Sequence, residues 1–205
     1  MKVLMINCSP NKKGSTDRAL KEIALELSKV NIESEIFQLP VEPLQSCLAC
    51  GSCKESEDNR CKVDDCVNEL LAKMESSDGL VVGSPVHFAG ITGSGKTILD
   101  RMFYCGRPLF SGKPFAGIVI ARRAGTTSAL EQINKYPIIA NMIQVGCTYW
   151  PMVFGNDARE IEEDLEGMQN MRNLANNLAW ILKLKEEGKI ASPEFGPYQR
   201  TNFIR

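Results

Sequence analysis

The sequence predicts an α/β protein with a doubly wound, five-stranded parallel sheet in the strand order 2-1-3-4-5. Short, continuous apolar segments alternate along the chain with amphipathic helical patterns, as expected for parallel strands buried on both faces. A polar loop with glycine, serine and threonine follows the first strand and contains no Gly-x-Gly-x-x-Gly motif. Together with right-handed crossovers, this loop favours the predicted order over that of a dinucleotide-binding fold.

The individual elements follow from these patterns in chain order. The first strand is Lys2–Asn7, and the helix after it carries Leu20, Ile23 and Leu27 on one face. The other strands are predicted at residues 31–37, 78–83, 113–120 and 144–150. The other helices are predicted at residues 63–77, 97–105, 128–142 and 161–185. A ligand of such a sheet binds where strands one, three and four end, which here is at residues 8–16, 84–90 and 121–127.

The first of these loops is predicted to bind a phosphate group. The free N–H groups at the start of a helix point at an anion, and the helix dipole favours its negative charge. Ser9, Ser15 and Thr16 add hydroxyl groups at the same place. An ordinary helix cap at Ser15 or Thr16 is the alternative, but the loop is longer than capping requires.

A cysteine-rich stretch follows the second strand, and we expect it to hold a [4Fe–4S] cluster. Cys47, Cys50 and Cys53 are spaced as Cys-x-x-Cys-x-x-Cys, and Cys61 follows after seven residues. A compact coil of three thiolates plus a more distant fourth suits a cubane cluster. Zinc usually takes two separated Cys-x-x-Cys pairs, so it is the weaker interpretation, and a loop without metal is another. Cys66 is the alternative fourth ligand.

A second motif points to a different class of protein. The stretch from Gly90 to Thr97 satisfies the P-loop pattern Gly-x-x-x-x-Gly-Lys-Thr. A true P-loop leaves its strand directly, whereas here residues 84–89 intervene. No apolar run ends in an aspartate that would hold magnesium. Nucleotide binding is therefore the lesser alternative, and residues 97–105 are expected to be an ordinary helix.

Composition restricts the possible partners. The chain has 205 residues, of which 43% are hydrophobic, and 24 basic side chains balance 25 acidic ones. This balance gives no electrostatic reason to expect nucleic acid or an anionic membrane as a partner. Eight cysteines without a secretion signal lead us to expect a reducing cytoplasm. One domain is expected at residues 1–187, with the cysteine loop at about 45–66 and a tail at 188–205 that docks on a partner subunit.

Four motifs together carry a family resemblance: the loop at 8–16, the stretch Gly-Ser-Pro-Val-His-Phe at 83–88, Lys96 with Leu-Asp-Arg at 99–101, and the cysteine motif followed by Asp-Asp at 64–65. With them the sequence resembles the flavodoxin-like NAD(P)H-dependent FMN reductases, and within these the iron–sulfur flavoproteins. The likeness covers most of residues 1–155.

The resemblance implies a set of site residues. It places the phosphate of FMN on the first loop, at Ser9, Asn11, Ser15 and Thr16. It places the flavin ring against the second loop, at Pro85, Val86, His87 and Phe88, with Gly125 and Thr126 at the ring edge. His87 is the only histidine of the chain and stands where many relatives carry tyrosine.

The resemblance also implies a function. We expect an FMN-dependent oxidoreductase that transfers electrons between a [4Fe–4S] cluster and FMN, with NAD(P)H or a ferredoxin-type protein as donor. A simple NAD(P)H-dependent FMN or quinone reductase without a cluster is the alternative. A homodimer or homotetramer is expected. The flavin performs the chemistry, so no catalytic side chain is assigned, although His87 is a candidate.

Overall fold

The central element of the fold is strand β1 (Lys2–Asn7), which is buried and pairs with a parallel strand on each side. The structure, a computed structural model, describes residues 1–188, 193 and 196. The other strands are β2 (Glu33–Gln38), β3 (Gly79–Pro85), β4 (Pro114–Ala121), β5 (Ile143–Gln144) and β6 (Met152–Phe154). Their order is β2-β1-β3-β4-β5, which confirms the predicted flavodoxin-like sheet.

Eight helices connect the strands in the part of the chain that the structure describes. They are α1 (Ser15–Ser28), α2 (Ser52–Glu55), α3 (Cys66–Glu75), α4 (Gly93–Cys105), α5 (Arg107–Phe110), α6 (Thr126–Ile139), α7 (Glu160–Glu163) and α8 (Leu165–Gly188). Helices α1 and α8 cover one face of the sheet, where Leu20 and Leu174 are fully buried. Helices α3, α4 and α6 cover the other face, around Leu70, Leu99 and Ile133. Both faces are therefore buried, which explains the continuous apolar strands.

The predicted fifth strand at residues 144–150 is wrong in its bounds. Two short strands, β5 and β6, both pair with β4 instead, and the chain leaves the sheet between them. Side chains of α8 hold this excursion, since Asn177 Nδ2 donates to the Gly146 carbonyl oxygen at 2.9 Å and Asn173 Nδ2 to Thr148 Oγ1 at 3.0 Å. Pro151 has no N–H to offer to a strand ladder. The gap leaves a cavity of about 540 Å³ at the sheet edge.

The predicted last helix is also divided. Asp164 lies between α7 and α8 and accepts from the Gly167 N–H at 2.9 Å, so it caps a new helix. Its other oxygen accepts from the Phe154 N–H at 2.8 Å and attaches this break to β6. Helix α3 begins at Cys66, three residues later than predicted, because Asp65 caps it through the Val67 N–H at 3.0 Å.

Two further expectations concern the C-terminal tail and the absence of a membrane as partner. The tail at 188–205 falls almost wholly outside the described residues, so its predicted docking is not addressed by the structure. Among the described residues, every helix is too short or too polar to cross a bilayer.

Candidate functional site

The loop after β1 is held in place through its carbonyl groups. Gln38 Nε2 donates to the Ser9 carbonyl oxygen at 2.6 Å, and Thr92 Oγ1 donates to that of Cys8 at 2.9 Å. Asn7 Oδ1 accepts from the Ser9 N–H at 3.0 Å. These contacts come from β1, β2 and the start of α4. They fix the side of the loop that faces the sheet and leave its outer face open to a ligand.

The first turn of α1 offers N–H groups to that outer face. Its N-cap is Gly14, which has no side chain that accepts from the turn. The first bond into the helix runs from the Arg18 N–H to the Gly14 carbonyl oxygen at 3.0 Å. Amides that precede Arg18 are orphan donors of the helix start. Because they carry partial positive charge, they suit the phosphate predicted from the sequence.

The predicted phosphate and ring residues meet in one groove of about 170 Å³. Seven of the ten predicted flavin residues line it: Ser9, Asn11, Ser15, Thr16, Pro85, Val86 and His87. Its volume is below the ~300–1,000 Å³ of pockets that enclose a whole small molecule. The groove alone is therefore too small to enclose a flavin, and a bound flavin would extend beyond it.

Five further residues line the groove. Ala121 and Arg122 belong to the predicted loop at 121–127, whereas Ile120, Gly155 and Asn156 were not predicted. The last two follow β6. They were missed because the predicted fifth strand stopped before β6, so its carboxyl end was placed on the wrong residues. The apolar run Met-Val-Phe at 152–154, followed by Gly155, was the signal for this loop.

A second cavity of about 510 Å³ adjoins the groove and is positively charged. It shares Asn11, Ser15 and Asn156 with the groove and is also lined by Lys12, Lys13 and an ion pair of Arg159 with Asp157 at 3.5 Å. Asp157 offsets Arg159, so the two lysines beside the helix start provide the excess positive charge. The phosphate end of the site is therefore electrostatically complementary to an anion.

The second loop is a tight turn. The His87 N–H donates to the Gly90 carbonyl oxygen at 2.8 Å, and the Gly90 N–H donates back at 2.9 Å. Phe88 and Ala89, between them, have φ of 49° and 60°, values that non-glycine residues seldom adopt. Phe88 is fully exposed at the tip and does not line the groove.

Gly125 and Thr126 do not line the groove either, but Gly125 packs against the turn that does. Gly125 has a φ of 87°, and a Cβ there would lie 2.8 Å from Ala89 Cα and 3.0 Å from Val86 Cγ1. The third loop therefore packs directly against the second. Thr126 begins α6 and is buried.

The four predicted cluster ligands line one cavity: Cys47, Cys50, Cys53 and Cys61. Cys66 does not line it. Asn68 of α3 fixes the backbone of Cys61 on both sides, because its Oδ1 accepts from the Cys61 N–H at 2.8 Å and its Nδ2 donates to the Cys61 carbonyl oxygen at 2.9 Å. Gly51, with a φ of 77°, makes the sharp turn before α2 that brings Cys53 inward.

Arg101 and Cys105 of α4 also line this cavity, and sequence reasoning did not place them there. Arg101 is only 1% exposed. It donates to Cys61 Sγ at 3.2 Å and to the carbonyl oxygens of Gln45 and Val63 at 3.1 Å each. It also pairs with both oxygens of Asp65. The sequence signal was the Leu-Asp-Arg motif, but only tertiary structure shows what the arginine contacts.

The thiols of this region differ in how readily they ionise. Hydrogen bonds from the side chain and backbone of Ser52 lower the pKa of Cys50. Burial, and then the charge of Asp65, raise the pKa of Cys66 to about 11. Burial raises the pKa of Cys105, and the nearby Cys53 and Cys61 raise it further. Since metal ligands are thiolates, Cys50 is better suited to ligation than Cys66.

Among the described residues, the cysteine cavity contains no preformed site for a metal ion. In the described part of the chain, no three Cys, His, Asp or Glu side chains converge closely enough to hold one ion. The thiolates of a cubane cluster stand around a larger core. Four cysteines share the cavity with Arg101, whose buried Nε has no hydrogen-bond partner among the described residues. The cavity measures about 20 Å³, so in this conformation it is too small to enclose a cluster.

The P-loop motif does not form a phosphate loop. Residues 93–96 are the first turn of α4, and Thr92 caps them by accepting from the Gly95 N–H at 3.1 Å. Lys96 Nζ binds Asp100 on the outer face of the same helix at 2.5 Å. The lysine therefore faces a carboxylate rather than a nucleotide site.

Comparison with known proteins agrees with this geometry. The sequence model of the NADPH-dependent FMN reductase family matches residues 1–157. An iron–sulfur flavoprotein of Methanocaldococcus jannaschii is 32% identical over 196 residues, which cover 90% of this chain and 98% of that protein. An iron–sulfur flavoprotein of Methanosarcina thermophila is 29% identical over 92% of this chain and 99% of its own length.

A solved structure supports the fold independently. The flavodoxin, WrbA-like protein of Agrobacterium tumefaciens superposes with a TM-score of 0.63 at 13% identity, and the match covers 89% of this chain and 96% of that one. The family match and the iron–sulfur flavoprotein relatives agree with the groove at the carboxyl ends of the strands. This chain therefore belongs to the NADPH-dependent FMN reductase family and is a flavin-dependent oxidoreductase.

Proposed function

We propose that this oxidoreductase binds FMN in the groove after β1 and a [4Fe–4S] cluster in the cysteine cavity, and that electrons pass between the two. The observation that carries the proposal is the gathering of Cys47, Cys50, Cys53 and Cys61 on one cavity. The names of the relatives from Methanocaldococcus jannaschii and Methanosarcina thermophila support it.

In the groove, the residues of the chain would bind FMN and orient its ring. The amides at the start of α1, with Ser15 and Thr16, would hold the phosphate, while Lys12 and Lys13 attract it from the adjoining cavity. Pro85, Val86 and His87 would lie along the ring, on a turn that Gly125 supports from behind. The residues of this groove would position FMN. When bound, FMN would exchange hydride or single electrons, and the cluster would exchange single electrons.

One helix connects the two sites. The N-cap of α4, Thr92, donates to the Cys8 carbonyl oxygen in the flavin loop, and Arg101 of the same helix lines the cysteine cavity. At ~1.5 Å per residue, the helix rises about 14 Å between these two residues. This helix supports the proposal of transfer between the sites, because a rigid element holds them at a constant separation.

The electron donor and the subunit number are proposed from the family. NAD(P)H would donate at the open flavin groove, and a ferredoxin-type protein would donate beside the exposed cysteine loop. We propose a homodimer or homotetramer. Three exposed side chains support it: Phe88 at the tip of the second loop, and Tyr149 and Trp150 at the split sheet edge. Large exposed apolar side chains favour contact with another protein surface.

A second function is an FMN or quinone reductase without a cluster. The small volume of the cysteine cavity and the exposure of Cys47 and Cys50 favour it. An absorption spectrum of protein purified without oxygen, with iron, sulfide and flavin assays on the same sample, distinguishes the two. We expect flavin bands over a broad visible shoulder and about four irons per chain. Flavin without iron would establish the cluster-free reductase.

A further inference from the structure

We propose that Arg101 raises the reduction potential of the cluster through a hydrogen bond to Cys61 Sγ and a second one, from Nε, to the cluster itself. The inference rests on the proposed function, since it needs a cluster in the cysteine cavity. It assigns to this arginine a role in tuning an electron-transfer site, beyond holding the loop together.

Arg101 contacts the residues around the cysteine cavity through both of its terminal nitrogens. Its side chain is 1% exposed and lines the cavity with four cysteines. Nη2 donates to Cys61 Sγ at 3.2 Å, and Nη1 donates to the Gln45 carbonyl oxygen at 3.1 Å. If Cys61 binds the cluster as a thiolate, this hydrogen bond is charge-assisted and therefore stronger than a neutral one.

The Nε atom is the second observation. It is buried and has no hydrogen-bond partner among the described residues. A buried donor without an acceptor is costly, and natural proteins seldom keep one that serves only packing. A cluster in this cavity would bring sulfur acceptors beside the guanidinium. A cluster in the cavity would therefore explain why the Nε–H group has no acceptor in this structure.

The direction of the effect follows from charge. Reduction adds one negative charge to a cluster, and N–H groups aimed at its sulfurs stabilise that charge more than the oxidised form. Asp65 partly offsets the charge of the guanidinium, because its two oxygens accept from Nη1 and Nη2. The remaining influence comes largely from the N–H groups near sulfur. Loss of these groups should lower the potential.

The test compares three variants of the full-length protein purified without oxygen. Arg101→Gln removes the charge and Nε–H. Arg101→Lys keeps the charge but lacks the planar fork. Arg60→Gln is the matched control, because Arg60 is the neighbour of Cys61 and pairs with Glu75 at 2.7 Å but does not line the cavity. Iron and sulfide are assayed first, and each sample is then reduced stepwise with dithionite and followed by electron paramagnetic resonance.

We expect a graded result. At a fixed potential, the ratio of reduced to oxidised cluster should fall about tenfold in Arg101→Gln, which equals ~59 mV for a one-electron couple. Arg101→Lys should lie between this variant and the parent protein, and Arg60→Gln should match the parent protein. Equal potentials in the parent protein and both Arg101 variants, with iron retained, would overturn the inference. Absence of iron from the parent protein would instead overturn the proposed function.

A measurement on the unaltered protein covers the case in which the Arg101 variants do not fold. Arginine labelled with ¹⁵N in the guanidinium group is incorporated, and pulsed electron paramagnetic resonance is recorded on the dithionite-reduced protein. A ¹⁵N coupling that persists in Arg60→Gln supports the contact with Arg101. No ¹⁵N coupling in an iron-loaded parent protein would overturn it.

Discussion

The carboxylate of Asp65 binds Arg101 through both of its oxygens, with Nη1 at 2.5 Å and Nη2 at 2.9 Å. The same carboxylate accepts from the Val67 N–H at 3.0 Å and so caps α3. Burial opposes the charge of Arg101, but hydrogen bonds with Asp65 and Cys61 outweigh it, so the pKa of the guanidinium lies above its ordinary value. One carboxylate thus joins two helices beside the cysteine cavity.

Asp65→Asn should destabilise the protein by about 3 kcal/mol, because it leaves the buried guanidinium without its counter-charge. Urea unfolding, monitored by circular dichroism, measures the loss. Asp64→Asn is the control, since the neighbouring aspartate is exposed. Unchanged stability of the Asp65 variant would show that Arg101 does not depend on this ion pair.

Cys61→Ser should lower the iron content of the protein, whereas Cys66→Ser should leave it unchanged. The cavity includes Cys61 but not Cys66, and burial and Asp65 keep the Cys66 thiol protonated. Iron and sulfide analysis after anaerobic purification measures the difference. The opposite result, with iron lost only from the Cys66 variant, would assign the fourth ligand to Cys66.

Ser15→Glu should weaken FMN binding about 100-fold, which corresponds to ~3 kcal/mol. The new carboxylate would lie among the orphan amides of α1 and repel the phosphate. Ser28→Glu is the control, because it places the same charge at the other, exposed end of α1. Titration of the apoprotein by flavin fluorescence gives both affinities, and equal values would locate the phosphate elsewhere.

Gly125→Ala should cost about 1–3 kcal/mol of stability and weaken flavin binding. Its φ of 87° disfavours alanine, and the new Cβ would lie 2.8 Å from Ala89 Cα. The turn that carries His87 would therefore have to move. Gly93→Ala is the control, since a Cβ at Gly93 meets no atom within 4 Å. Thermal unfolding and FMN titration of both variants measure the effects.

Glu22 should make stability depend on pH. The carboxylate is buried between Arg172 at 2.7 Å and Arg18 at 2.9 Å. Burial tends to raise its pKa, but the hydrogen bonds from these arginines outweigh burial and hold the pKa below the ordinary 4.5. A lowered folded-state pKa adds stability that is complete above about pH 4.5 and is lost as the pH falls through the folded-state pKa.

Glu22→Gln therefore should cost about 2 kcal/mol near pH 7. The difference from the parent protein should shrink below about pH 4.5. Urea unfolding at several pH values measures this convergence. A difference that stays constant down to pH 3 would show that the glutamate is not ionised between the two helices.

The sequence by itself determined the parallel sheet, its strand order and most of the loops that line the groove proposed for flavin. These features depend on local patterns, because a strand buried on both faces is continuously apolar and its carboxyl-end loop is polar. Ser9, Ser15 and Thr16 were found for this reason, and they share the groove with Pro85 and Val86. Cysteine spacing likewise grouped the four predicted ligands.

Only the tertiary structure decided which more distant residues join these sites. Arg101 lies 40 residues beyond Cys61 in the chain, yet it contacts the Cys61 sulfur because α3 and α4 pack on the same face of the sheet. The split of the fifth strand depends on side chains of α8, such as Asn177, that come later in the chain. Such contacts join residues far apart in the chain, so local hydrophobic periodicity does not predict them.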